Sequence, residues 1–99
     1  MRLRLAGPSD RAGVQALLSR RGVDTGELEV QRLLAFDPGR RSVLAAFAPL
    51  EGQETLVGIG SIENGDDAPD VLVVDERLIA LADVLGRVLT ERARVRRAA

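Results

Sequence analysis

Five residue types are missing from this 99-residue chain: cysteine, histidine, tyrosine, tryptophan and lysine. Without cysteine, the chain can form no disulfide, thiolate nucleophile or thiolate metal site. Without histidine, it lacks the usual general base near neutral pH and the commonest metal ligand, so we expect no bound metal. Phe36 and Phe47 are its two aromatic residues, and an aliphatic core offers few surfaces on which a nucleobase could stack. These absences exclude more chemistry than the residues present suggest.

An excess of charge of either sign is also missing, because 14 arginines are balanced by 15 acidic residues, for a formal net charge of −1. This balance argues against a general binder of nucleic acid. The one basic concentration is at the C-terminal end and consists of Arg92, Arg94, Arg96 and Arg97. Either these arginines compensate the dipole of a terminal helix as a solvated tail, or they contact phosphate groups.

Long hydrophobic runs are likewise absent. The N-terminus has no apolar run of signal-peptide length, and no segment approaches the roughly 20 apolar residues of a membrane span. We therefore expect a cytoplasmic protein without a membrane segment. The length of 99 residues, without linker, repeat or low-complexity tract, indicates a single domain over residues 1–99.

The first half of the chain predicts one strand and two helices. Residues 2–5 alternate polar and apolar, as a half-buried strand does. The Gly-Pro-Ser-Asp sequence at 7–10 breaks this strand and offers capping groups for a helix over residues 11–21. Its apolar stripe consists of Val14, Leu17 and Leu18. Thr25 can cap a second helix, which Pro38 ends. The apolar positions inside that helix are Leu28, Val30, Leu33 and Leu34.

The second half predicts three strands and a long helix. Residues 41–48 and 55–62 are interpreted as a hairpin with a five-residue connection. The unbroken apolar run Val71–Val74 is typical of a strand covered on both faces. From residue 78 to residue 96 the apolar residues recur at helical spacing. The predicted fold is α+β, in the order β-α-α-β-β-β-α, with an antiparallel meander.

Gly58 and Gly60 lie two residues apart on the predicted third strand and therefore share one face of it. Such a pair leaves a shallow depression in the sheet. Either a helix packs closely into that depression, or it is the floor of a ligand site.

This order of elements resembles the first half of the GNAT-type N-acetyltransferase fold, over essentially the whole chain. The opening residues 3–10 are similar to that family's first strand and capped first helix, and Val71–Val74 falls at its fourth strand. The family's motif Q/R-x-x-G-x-G/A is matched in part by residues 77–82. The resemblance implies acetyl-CoA as a cofactor, whose diphosphate the backbone N–H groups at the start of the last helix would receive. The residues that it places at the cofactor are Val73, Val74, Arg77, Ala80, Leu81 and Ala82.

The chain departs from the family's pattern in the motif itself. Ala80 stands where the motif has glycine, and an alanine forced to positive φ costs on the order of 1 kcal/mol. Leu78 and Ile79 are apolar where the family's loop is polar. The junction can therefore also be interpreted as the plain first turn of a helix.

The catalytic residues stay unknown. Neither the general-acid tyrosine nor the fourth-strand glutamate of the family has a matching position in this chain. Carboxylates at strand ends are Glu63, Asp75 and Glu76. Four aspartates lack the spacing of a metal loop, and we expect them to be solvated turn residues: Asp66, Asp67, Asp70 and Asp75.

Three hypotheses of function follow, of which the third, nucleic-acid binding through the terminal arginines, is disfavoured by the charge balance and the absence of lysine. The first is a GNAT-like N-acetyltransferase domain, truncated or degenerate, that transfers an acyl group from acetyl-CoA. The alternative is a non-catalytic dimerising or partner-binding module of the same shape. Because no fifth strand follows, the fourth strand is left as a bare edge, which folded proteins usually cover. We therefore expect a homodimer formed through that strand.

Overall fold

A computed structural model describes residues 1–98 of the chain, with side chains as far as Val95. Its regular elements are β1 (Arg2–Leu5), α1 (Arg11–Arg20), α2 (Glu27–Leu34), β2 (Arg41–Leu50), β3 (Gln53–Glu63), β4 (Val71–Val74) and α3 (Leu81–Ala98). Short 3-10 turns precede α1 and α3, at Pro8–Asp10 and Glu76–Leu78. The four strands form one antiparallel sheet in the order β1-β2-β3-β4. The predicted α+β fold and its order of elements are therefore confirmed.

The sheet is the middle of three layers. On one face, α1 and α2 bury side chains such as Leu17 and Val30 against Ile59 of β3. On the other face, α3 buries Leu85 and Leu89 in a second apolar cluster. The alternation of side chains along β2 and β3 supplies both clusters from the same two strands. None of the described helices is long and apolar enough to cross a membrane.

The start of α1 is held by a buried carboxylate. Asp10 accepts a hydrogen bond from the Gly7 N–H at 2.9 Å and two from the Arg4 guanidinium at 2.9 and 2.6 Å. Burial alone would raise the pKa of the Asp10 carboxyl, but the hydrogen bonds from Arg4 and Gly7 outweigh it and lower the pKa. Asp10 makes no side-chain capping hydrogen bond to α1, so the expected cap is wrong, and its carboxylate instead ties the turn before α1 to β1.

Three details of the sequence-based interpretation are wrong. The residue that precedes α2 is Gly26 rather than Thr25, and Leu28 of α2 is exposed. The connection between β2 and β3 has two residues instead of five, because Glu51 and Gly52 both adopt positive φ. A two-residue turn of that conformation matches the twist of the strands, so that the pairing extends to the ends of the hairpin.

The prediction that β4 is covered on both faces is also wrong. Among its four residues only Val74 is buried, and Leu72 is 39% exposed. The physical reason is that β4 lies at the edge of the described sheet, whereas α3 packs mainly on β2 and β3. An apolar run thus identified a strand without showing how much of it is covered.

Gly58 and Gly60 form the surface on which α3 packs. A Cβ atom on Gly58 would lie 3.3 Å from Leu81 Cδ2, and one on Gly60 would lie 2.5 Å from Leu89 Cδ1. The side chains of α3 therefore occupy the space that a larger residue on β3 would need. Of the two interpretations of this glycine pair, close helix packing is the confirmed one.

The contact predicts that Gly60→Ala lowers the free energy of unfolding by about 1–3 kcal/mol through overpacking. Gly58→Ala should cost less, because its closest contact is at 3.3 Å. In a Leu89→Ala background the clash is removed, so Gly60→Ala should cost little there. Urea unfolding of the four variants measures this, and an equal cost of Gly60→Ala in both backgrounds would contradict the packing assigned to α3.

Candidate functional site at the end of the fourth strand

The chain passes from β4 to α3 through a continuous helical turn. Asp75 follows the strand, the 3-10 turn comes next, and Ile79 already has helical backbone angles, φ −60° and ψ −31°. Ala80 does not adopt positive φ, since Glu51 is the one non-glycine residue of the described chain that does. Ala80 is therefore free of positive-φ strain, and a 3-10 turn at Glu76–Leu78 lies between the strand and α3.

Asp75 is the central group of this junction. It is 3% exposed, which makes its predicted place among the solvated turn residues wrong. Its carboxylate accepts three hydrogen bonds of 3.0 Å from Arg77, one from the backbone N–H and two from the guanidinium. Arg20 of α1 approaches the same carboxylate at 3.4 Å. Arginines from two elements therefore compensate the charge of this buried carboxylate.

The hydrogen bonds from the Arg77 side chain and backbone hold the pKa of the Asp75 carboxyl well below its usual range. They outweigh burial, which acts in the opposite direction. Asp75 is thus ionised at neutral pH and accepts protons poorly. It is a structural anion and a poor general base.

Several backbone donors of this junction are already bonded within the chain. The N–H groups of Arg77, Leu78 and Ala82 donate to Asp75 Oδ1, the Asp75 carbonyl and the Ile79 carbonyl. The buried carboxylate of Asp75 adds a negative charge beside them, which would repel a nearby phosphate group. The 3-10 turn before α3 therefore begins at an anion of the chain itself.

The six residues expected at a cofactor do not converge on one space. Val73 packs on the α1–α2 side of the sheet. Val74, Leu81 and Ala82 belong to the apolar cluster beneath α3. Arg77 points to the buried aspartate. The remaining residue, Ala80, is exposed.

A polar cleft of about 700 Å³ adjoins the junction, between the β2–β3 turn and the end of α1. Arginine and carboxylate side chains line it in equal number: Arg20, Arg21, Arg77, Glu51, Asp75 and Glu76. Besides the pairs at Asp75, Arg21 lies 3.6 Å from Glu76. The cleft thus carries no net charge that would attract a polyanion.

Several polar groups away from this junction are also engaged in contacts within the chain. Arg41 donates to Ser61 Oγ at 2.7 Å, and it pairs with Glu63 and Asp70. At the C-terminal end, Arg94 lies 3.5 Å from Glu91, while the side chains of residues 96 and 97 lie outside the described part of the chain. Ser61 and Glu63 serve structural roles through these contacts with Arg41.

The outer edge of β4 is open in the described sheet. β4 pairs with β3 on one side, with no described strand on the other. Its four residues carry no charge, proline or glycine that would discourage further pairing. The opposite edge strand, β1, differs in composition because it carries Arg2 and Arg4. Their guanidinium groups lie 5.2 and 4.6 Å from the centre of the Phe47 ring on β2.

Apolar surface flanks this edge on both faces of the sheet. On the α1–α2 side a groove of about 800 Å³ runs along β4, and its apolar lining includes Val23, Val30, Leu33, Phe36, Val71 and Val73. On the α3 side Leu72 is exposed, and its Cδ2 lies 3.6 Å from the Cβ position of Gly86. Further along the chain, Ile79 is 72% exposed. Exposed apolar surface of this kind marks interaction sites.

Comparison with known proteins adds no relative: no protein-family model, no curated protein and no solved structure matches the chain. The function must therefore be argued from the chain's own residues. Two features carry that argument. One is the closed ion cluster around Asp75, and the other is the open edge of β4.

The ion cluster predicts how acid affects the fold. Because the pKa of Asp75 is depressed in the folded state, its contribution to stability is complete above the unfolded pKa of about 3.9 and is lost as the pH falls through the lower folded value. Asp75→Asn should lower the free energy of unfolding at neutral pH by on the order of 2 kcal/mol. It should also flatten the loss of stability in acid.

The measurement is urea unfolding of both proteins across the acid range. Asp66→Asn, which alters an exposed carboxylate, is the matched control and should leave the stability at neutral pH nearly unchanged. A wild-type acid profile that Asp75→Asn does not alter would contradict the assignment.

Proposed function

We propose that this chain is a non-catalytic binding module that associates with a second copy of itself by strand pairing at β4. The observation that carries the proposal is the edge Val71–Val74, which is uncharged, unpaired on one side among the described strands, and flanked by apolar surface. The resemblance in the order of elements is compatible with such a module, since a shared fold does not by itself confer catalysis.

The backbone of β4 favours association with another strand. An edge strand presents a row of N–H and C=O groups that can pair with another chain, and proteins that remain monomeric usually block such edges. Charged residues on an edge strand are one such device, and β1 carries Arg2 and Arg4. Because β4 has none, it is the edge at which association costs least.

The side chains of β4 also favour association, because they present apolar surface on both faces of the sheet. Val71 and Val73 are half-buried and border the groove, and Leu72 is exposed on the opposite face. An added strand with apolar side chains would cover residues on both faces at once. Burial of apolar area stabilises association by roughly 25 cal/mol per Å², although only the surplus over the entropy lost on binding is gained.

The second copy is the partner that this edge suits best, because β4 itself is such an apolar strand. A two-fold axis perpendicular to the sheet would join two copies of β4 in antiparallel orientation and close both edges with the same residues. The result would be a continuous eight-stranded sheet that still has an arginine-bearing β1 at each end.

Acyl transfer from acetyl-CoA, the other expected function, stays a prediction. Asp75 argues against it, because its carboxylate accepts the Arg77 N–H and places a negative charge at the junction to which the resemblance assigns a diphosphate. Calorimetric titration with acetyl-CoA tests it directly, and saturable heat at micromolar ligand would favour the transferase hypothesis over ours.

The proposal predicts that the chain is a dimer in solution and that Leu72→Lys dissociates it. A lysine on β4 places an ammonium group in the pairing surface, which should raise the dimer Kd at least about tenfold, or 1.4 kcal/mol. Leu5→Lys is the matched control, since Leu5 is a similarly exposed leucine, at 43% against 39%, on the opposite edge. It should leave the Kd unchanged.

Sedimentation equilibrium at several protein concentrations measures the three Kd values. Circular dichroism establishes that both variants fold. A wild-type chain that is monomeric at high micromolar concentration would overturn the proposal, as would equal dissociation by the two variants.

A further inference from the structure

The hydrogen bonds of β4 determine which of its backbone groups face outward. The Asp75 N–H donates to the Val57 carbonyl at 2.7 Å, and the register continues with Val73 opposite Ile59. In an antiparallel ladder, hydrogen-bonded and non-hydrogen-bonded pairs alternate. Val73 therefore directs its N–H and C=O toward β3, while Leu72 and Val74 direct theirs toward the open edge.

This alternation limits the ways in which two copies of β4 can pair. With Val73 on a two-fold axis, Leu72 of each copy lies opposite Val74 of the other, and all the outward groups of both residues form four hydrogen bonds. With Leu72 on the axis, Val74 would instead face residue 70, whose N–H is already bonded to Ser61 O at 3.0 Å. With Val74 on the axis, Leu72 would face residue 76, which lies in the 3-10 turn.

We infer that the dimer has one register, in which the two Val73 residues face each other across the two-fold axis as a non-hydrogen-bonded pair. The inference rests on the proposed function and adds to it the geometry of the interface. It follows from the hydrogen bonds that the strand already makes, because this register alone pairs every outward group of Leu72 and Val74.

The side chains agree with this register. Val73 lies on the α1–α2 side, so the Val73 pair joins the two apolar grooves along the axis. Leu72 lies on the α3 side, and Val74 of the second copy would be its direct neighbour across the new ladder. On that side, Ala82, Gly86 and Thr90 follow each other at helical spacing. Gly86 neighbours Leu72, so this flank of α3 faces the open edge and admits a close approach.

The absence of cysteine makes a direct test possible, because every single-cysteine variant has one thiol. Non-hydrogen-bonded partners have Cα atoms about 4.5 Å apart, within the range that a disulfide can span. Val73→Cys should therefore form disulfide-linked dimers on mild oxidation. Leu72→Cys is the matched control, because its two thiols would be displaced by two residues, or roughly 7 Å along the strands, and should cross-link much less.

The experiment compares the two variants by non-reducing electrophoresis, at a concentration where sedimentation shows wild-type association. Predominant cross-linking of Val73→Cys, with little in Leu72→Cys, supports the register. Predominant cross-linking of Leu72→Cys overturns the register but leaves pairing at β4 intact. An associated wild type in which neither variant cross-links overturns the register. A monomeric wild type overturns both the register and the proposed function.

Discussion

The close packing of α3 against β3 determines which residues of the sheet are covered. Gly58 and Gly60 admit the helix so closely that Leu89 fills the place of a side chain on β3. Because the helix is centred on β2 and β3, it covers Val74 and leaves Leu72 partly exposed. The open surface at β4 is therefore a direct consequence of where the glycines lie. A helix displaced toward β4 would cover the edge from one side, but it would lose this close contact.

Asp75 is buried at the end of β4, beside the junction to which the resemblance assigns a cofactor. Its carboxylate bonds to Arg77 and approaches Arg20, and so connects the end of β4 to both α1 and the turn before α3. This cluster serves the role that a bound anion has in a nucleotide-binding fold, because it satisfies N–H and guanidinium donors with negative charge. Charge is therefore neutralised at the junction after β4. Along the described outer edge of β4, in contrast, backbone hydrogen-bonding groups are unpaired and apolar side chains are exposed.

Much of the fold could be predicted from the sequence, because it depends on local patterns. The alternation in residues 2–5, the helical stripe of Val14, Leu17 and Leu18, and the apolar run 71–74 each predicted the correct element. The site could not be predicted as well, because it depends on contacts between distant residues. Asp75 follows a strand and precedes a turn, as solvated residues do, and nothing near it in the sequence shows that Arg20 will approach it. The pair Asp75 and Arg77, two residues apart at a strand end, was the one local signal of a buried ion cluster. The coverage of β4 was equally hidden, since an apolar run looks the same at the centre of a sheet and at its edge.

Amide hydrogen exchange, resolved by NMR at two protein concentrations, reports whether the outward backbone groups of β4 pair with a second copy. At a concentration above the dimer Kd, the amides of Leu72 and Val74 should exchange slowly, and they should exchange fast after dilution well below it. The Val73 amide is directed toward β3 and serves as the internal reference, protected at both concentrations. Leu72 and Val74 amides that exchange fast at every concentration, beside a protected Val73, would contradict the account.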